Sequence, residues 1–152
     1  MEDLVIAPLD TGDYEAVLPL IADYQRFYGV EAPDDGRNRA FFSRFVPMSD
    51  AGCILGAWLG TRFAGYACLY FTSSSVEAED IVILNDLYVV PDSRSTGVGR
   101  GLIEATTALA GAKGLHRVRW STAIDNRRAQ RLYETTGAER STWFEYELIV
   151  DA

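Results

Sequence analysis

The chain has 152 residues, 48% hydrophobic and 24% charged, which is ordinary for one soluble globular domain spanning 1–152. Its net charge of −8 argues against nucleic acid as the main partner, and no apolar run approaches the roughly 18 residues a membrane span needs. The start, MEDLVIAPLD, has no basic stretch ahead of an apolar core, so the expectation is a cytoplasmic protein with no membrane partner.

In chain order, residues 3–8 read as a first strand. Thr11 or Asp13 can cap a helix that runs to Gly29, with Tyr14, Val17, Leu18, Ile21, Tyr24 and Tyr28 at helical spacing. Pro19 lies inside that pattern and predicts a kink or a late start. A polar loop, GVEAPDDGRN, leads to a short helix over 37–45. Residues 52–59 and 63–72 read as two strands joined by a turn at Gly60-Thr61, which sets Cys53 opposite Cys68. Neither cysteine lies in a CxxC or has the lone His116 at a metal-ligand spacing, so two buried thiols and no metal are expected. After the loop SSSVEAED, the β-branched run over 81–90 predicts a buried central strand ended by Pro91.

A helix over 97–113 follows, with Val98, Leu102, Ala105, Leu109 and Ala112 on one face and Gly114 as its stop. Residues 117–123 read as a strand, 126–136 as a helix closed by Gly137, and 141–149 as a final strand. The order is a strand, two helices, three strands, helix, strand, helix, strand. It predicts a mixed α/β sheet.

The stretch DLYVVPDSRSTGVGRGLI, residues 86–103, carries the chemistry. A strand ends at Pro91, and a glycine-rich turn then opens a helix. Free N–H groups and the positive dipole end at a helix start bind phosphate. Gly97 and Gly99 have no Cβ to block approach, and Arg94 and Arg100 add positive charge. The turn has no GxxxxGK[ST] lysine, and its third glycine comes one position too early for GxGxxG. A glycine-rich helix start is also a common structural device. The charge around it is segregated: 94–131 holds eight basic residues against Glu104 and Asp125, a net +6, leaving −14 elsewhere. Segregation of this kind reads either as a polyanion-binding half or as solvated surface.

Arg94-Ser95-Thr96-Gly97-Val98-Gly99 resembles the R/Q-x-x-G-x-G/A motif of the GCN5-related N-acetyltransferase (GNAT) family. LNDLYVVP resembles that family's fourth strand, and NRRAQRLYETTGA its later motif, an Asn opening a helix with a Tyr seven residues on. The element order agrees, and the resemblance covers nearly the whole chain. The runs LNDLYV, WSTAIDNRRAQRLY and TWFEY further resemble the branch of small fungal histone/polyamine acetyltransferases.

The resemblance implies a single acyl-CoA N-acyltransferase fold whose fourth and fifth strands splay around acetyl-CoA, with no metal. By matching position, Leu87, Tyr88 and Val89 lie along the pantetheine arm, while Arg94, Ser95, Thr96, Gly97, Val98, Gly99 and Arg100 cradle the pyrophosphate. Asn126 contacts the cofactor and Tyr133 is the general acid. Each has a plainer reading: core packing for Leu87, Val89 and Tyr133, and a helix N-cap for Asn126. Asn126 and Tyr133 are two helical turns apart and share a face. Asn85 stands where several relatives have a Glu, which leaves the general base open between Asp86 and a water chain, and Asp86 could equally be a structural acceptor.

The family's acceptor side is lined by the first helices and their connecting loop. In this chain that region has Asp23, Tyr24, Tyr28, Glu31, Asp34 and Asp35. Carboxylates there would steer a small cationic primary amine (a polyamine, a basic amino acid or an aminosugar), and aromatics would cover its stem. Protein lysine acetylation and a non-catalytic acyl-CoA sensor are the alternatives. A homodimer is possible, with Trp143, Phe144 and Tyr146 supplying apolar interface, although these could equally be core.

Overall fold

The computed structural model describes residues 2–151. They fall into two compact units, one ending at Ser121 and one beginning at Thr122.

The first unit opens with β1 (Leu4–Pro8). A 3₁₀ turn at Thr11–Asp13 follows, and then helix α1 (Tyr14–Phe27). The cap of this segment is Asp10, not Thr11 or Asp13: its carboxylate accepts from Gly12 N, and Asp13 reaches back to Asp10 N to complete a capping box. The helix starts ahead of Pro19 and continues through it. Helix α2 (Asp35–Phe42) begins two residues earlier than its pattern suggests, because Asp34 caps it by accepting from Arg37 N at 2.9 Å. Its last part, Ser43–Phe45, tightens into a 3₁₀ turn. A reciprocal amide pair between Gln25 and the buried Asn38 ties α1 to α2.

Strands β2 (Gly52–Leu59), β3 (Arg62–Ser74), β4 (Glu79–Val89) and β5 (Val118–Arg119) complete a sheet in the order β1-β2-β3-β4-β5. All neighbours are antiparallel except β4 and β5. The ladder between β3 and β4 continues to Ser74 and Glu79, so the SSSVEAED segment is half strand and only its middle is a turn. Helix α3 (Val98–Ala112) packs on one face, close enough that a Cβ on Gly101 would lie 3.0 Å from Leu4 and Ile6 side chains. On the other face α1 and α2 bury Val17, Leu18, Ile21, Phe42 and Phe45 against Ile54, Tyr66, Cys68 and Tyr88.

Two irregularities set the register. Between β2 and β3 the pairing shifts at Ala57/Trp58, leaving Ala64 as an extra residue on β3. A plain hairpin about Gly60-Thr61 would pair Cys53 with Cys68. The bulge instead pairs Cys53 with Leu69 and Ile54 with Cys68, so the two cysteines point to opposite faces. Both are buried free thiols, and burial pushes the Cys53 thiol up to about 12 and Cys68 higher still. Between β3 and β4, Cys68 pairs with Asp86 but Leu69 with Leu84, so Asn85 is the extra residue on β4.

The second unit contains helix α4 (Arg127–Glu134). The expected strand over 141–149 makes no ladder in this structure, and Trp143, Phe144, Tyr146, Leu148 and Ile149 are exposed there. A strand forms only where a neighbour supplies ladder partners, and alternation in the sequence does not supply one. The expected strand over 117–123 is likewise reduced to the two residues that pair with β4.

Candidate active site

The site in the first unit is built on an interruption of the sheet. β5 pairs with β4 only at Val82↔Val118 and Ile83↔Arg119, whereas β4 runs on to Val89. Among the described residues, the far half of β4 therefore has a strand partner on one edge only. Val90 N donates to Ala64 O at 2.9 Å, which makes Gly65↔Val89 a non-hydrogen-bonded pair. The N–H and C=O of Val89, and those of Leu87 two residues earlier, thus face the open edge, while Tyr88 spends its own on β3.

The chain then turns into α3. Ser95 has φ +65° and Gly97, the N-cap, φ +93°. A Cβ on Gly97 would meet nothing within 4 Å, so glycine is needed there for its backbone conformation rather than for clearance inside the chain. The N-cap, Gly97, has no side chain with which to cap the helix, and the first helical bond is Gly101 N to Gly97 O, so the N–H groups of Val98 and Gly99 precede the helical ladder. Ser95, Thr96 and Gly97 are exposed, Val98 is core, and Gly99, Arg94 and Arg100 are half-buried. Thr96 donates its hydroxyl to Ser93 O, bracing the turn. Arg94 is less a free cation than a tether: its Nε donates to Val89 O at 3.0 Å and its guanidinium lies 5.8 Å from the Tyr88 ring centre. Arg100 sits 4.0 Å from Glu104, a loose ion pair.

Asp86 projects from β4 onto the α1 face. It is 8% exposed, and its carboxylate accepts from the Tyr24 hydroxyl and from Asn85 Nδ2 at 3.0 Å. Asn85 also donates to the Tyr70 hydroxyl at 3.0 Å. In a regular strand adjacent side chains diverge, and the bulge is what lets Asn85 reach its neighbour. Burial pushes the Asp86 carboxyl up to about 6, against the lowering by Tyr24 and Asn85. Tyr24 packs edge-on to both Tyr66 and Tyr88, and burial with the nearby Asp86 charge raises its own phenol. Tyr28 bonds to Tyr24 and is 54% exposed. The Tyr66 hydroxyl is fully buried and has no hydrogen-bond partner among the described residues.

The structure thus brings together Tyr24 and Tyr28 from the expected acceptor side and the candidate base Asp86 from β4. The other acids have separate positions: Asp34 caps α2, Asp23 pairs with Arg26 at 2.9 Å, Asp35 lies in the first turn of α2, and Glu31 is exposed in the loop before it. Tyr66 and Tyr70 join this cluster unforeseen, and Tyr88, expected along the cofactor arm, instead packs its ring here with its backbone bonded to β3. The i, i+2 spacing of Tyr66, Cys68 and Tyr70 was the available signal, since it lines one face of a strand. In the second unit, Asn126 caps α4 by accepting from Ala129 N at 3.2 Å, so its plainer reading holds. Tyr133 lies two turns on, half-buried, with its carbonyl accepting from Thr136. Among the described residues no group of three or more acidic, His or Cys side chains could hold a metal.

The model of the Acetyltransferase (GNAT) family matches residues 17–138. The uncharacterized N-acetyltransferase YhfO of Bacillus subtilis is 37% identical over 88% of the chain and 89% of its own length. The D-amino-acid N-acetyltransferase HPA3 of Saccharomyces cerevisiae is 31% identical over 86% of the chain and 81% of its own. Among solved structures, a probable acetyltransferase superposes with a TM-score of 0.82 at 27% identity, covering 99% of both chains.

Proposed function

The chain belongs to the acetyltransferase (GNAT) family and is an acyltransferase enzyme acting on amines; from that premise we propose that it moves the acetyl group of acetyl-CoA directly onto a small cationic primary amine. The observation that carries this reading is the edge of β4 left without a strand partner among the described residues, running into the glycine-capped start of α3. Outward amide groups at Leu87 and Val89 suit an extended amide-bearing arm, and the first-turn N–H groups behind Gly97 suit a pyrophosphate.

Acetyl-CoA supplies an activated thioester. Residues Arg94 to Arg100 would hold its phosphates, Leu87 and Val89 would align its arm, and Asn126 would contact it. The outward Val89 N–H would stabilise charge gathering on the carbonyl oxygen. Tyr133 would protonate the departing sulfur, a role supported by its place in the family motif. Direct attack needs no enzyme nucleophile, and the burial of both thiols supports that. The Asp86 carboxylate beside Tyr24, whose ring packs on Tyr28, supports a cationic acceptor, since a carboxylate near aromatic rings favours an ammonium group.

A thioester-consumption assay with acetyl-CoA over a panel of diamines, amino acids of both hands, aminosugars, neutral amines and basic peptides tests this. The expected result is turnover concentrated on small cationic amines. A clear preference for neutral or anionic amines would sink the acceptor assignment, and preference for peptides would move it to proteins.

A further inference from the structure

A groove opens at the C-terminal end of α3, within the first unit. We propose that it is a second binding site, for a small zwitterion of amino-acid size whose carboxylate meets Lys113 and whose ammonium meets Asp50 and Asp80.

Three local devices build the groove. Gly114, at φ +73°, closes α3 with two bonds, Gly114 N to Gly111 O at 3.0 Å and Leu115 N to Ala110 O at 2.9 Å. This glycine cap fixes Lys113 and Leu115 at the helix end. Ahead of β2 the chain turns tightly, with Ser49 and Gly52 bonded to each other, and Phe71 N donates to Ala51 O at 3.0 Å. That bond holds the turn, and Asp50 with it, against β3. Gly52 is required there, because a Cβ would collide with Leu69 O. Across β3 and β4, Ser73 pairs with Asp80 and its hydroxyl donates to the Asp80 carboxylate at 2.6 Å. Together with Phe71 these walls line about 280 Å³. Sites for drug-sized ligands span roughly 300–1,000 Å³, so the occupant is smaller, of amino-acid size.

The charges select the ligand. The Lys113 ammonium lies 4.6 Å from the Phe71 ring centre, which restrains its long stem. Among the described residues neither Lys113 nor Asp50 has an ion-pair partner, although both line the groove. The two opposite charges therefore stand farther apart than the 4.0 Å of an ion pair. A ligand carrying only positive charge would meet Lys113, and one carrying only negative charge would meet two carboxylates. A molecule with both charges a few bonds apart satisfies all three side chains. Because the walls are already fixed, little backbone ordering opposes binding.

The groove is separate from the acetyl-transfer site. Helix α3 spans 15 residues, which sets the groove roughly 22 Å from the turn at Gly97 at about 1.5 Å per residue. Phe71 follows Tyr70 on β3, and Tyr70 packs on the α1 side with Phe45, so Phe71 faces away from Asp86 and Tyr24. Binding here needs no acetyl transfer, so it stands or falls independently of that chemistry.

The test titrates the isotope-labelled full chain with N,N-dimethyl-L-leucine, a zwitterion whose tertiary nitrogen forms no stable amide, and follows backbone amide resonances by NMR. Its methyl ester, which is only cationic, and N-acetyl-L-leucine, which is only anionic, are the comparisons. Shifts should saturate with the zwitterion and centre on Phe71, Ser73, Lys113 and Leu115, and both comparison compounds should bind at least about tenfold more weakly. K113M and D50N should each weaken the zwitterion about tenfold or more, as loss of one charged hydrogen-bond partner does. K113R, which keeps the charge, should stay closer to wild type than to K113M. Both positions are exposed, so these variants keep the core intact. Equal binding of all three compounds would overturn the site, as would K113M and D50N that bind like wild type. Shifts gathered around Tyr24, Tyr28 and Asp86 would assign the compound to the acceptor side and overturn it too. So would the absence of saturation up to about 50 mM.

Discussion

Asp86 is buried at a cost in stability. Its folded carboxyl is raised from 3.8 to about 6, so the folded state binds its proton more tightly than the unfolded chain. The stability this contributes is fully present below about 3.8 and is lost as pH rises through about 6. At pH 7 the ionised group therefore costs up to about 3 kcal/mol relative to a neutral one. D86N should consequently melt a few degrees higher than wild type at pH 7 and converge with it below pH 4, while losing activity; scanning calorimetry across that range checks it. A lower melting point at pH 7 would mean that the Tyr24 and Asn85 bonds outweigh desolvation. For Tyr133, removal of the hydroxyl alone is informative. Y133F should cut turnover about 10²–10⁴-fold and leave CoA affinity nearly intact, as measured by calorimetry beside steady-state kinetics. Unchanged turnover would remove Tyr133 from the chemistry.

Among the elements, the start of α3 is the most demanding. Gly97 at φ +93° sits where an L side chain is strained by about 1–2 kcal/mol. G97A should weaken acetyl-CoA binding several-fold and lower the melting point, although a Cβ there meets no atom of the chain. Intact affinity with normal melting would show that the turn tolerates another conformation. This element was legible beforehand, because a Pro stop, a glycine-rich turn and a 3.6-residue repeat are local signals. The two bulges were not. Ala64 and Asn85 carry no local mark, yet the first sends Cys53 and Cys68 to opposite faces and the second turns Asn85 toward Asp86 and Tyr70. Register depends on which long-range pairing buries more, and no window of sequence contains both strands. The expected strands at 117–123 and 141–149 differ for the same reason: their alternation shows a face suited to burial, but ladder partners decide where a strand exists.

Across the whole molecule, the charge asymmetry is partly spent inside the fold. Arg117 pairs with Glu79 at 3.0 Å and Arg119 with Glu77 at 3.2 Å, so two of the eight basic residues neutralise acids outside their own segment. The cations left near the α3 turn, Arg94 and Arg100, are half-buried. On the proposed reading, in which backbone N–H groups hold the phosphates, CoA affinity should fall only modestly between low and physiological salt, roughly tenfold or less. A steeper salt dependence in calorimetry would return the role to the arginines.

What the sequence by itself determined are the features written in contiguous residues: the order of most elements, the turn at 94–100 and the α4 cap at Asn126. Short-range geometry and fixed spacing suffice for these. The tertiary structure alone decided that Asp86 is a buried carboxylate bonded to Tyr24 and Asn85, on a strand whose far half has, among the described residues, a strand partner on one edge only. Desolvation and sheet pairing are properties of residues far apart in the chain brought to one place.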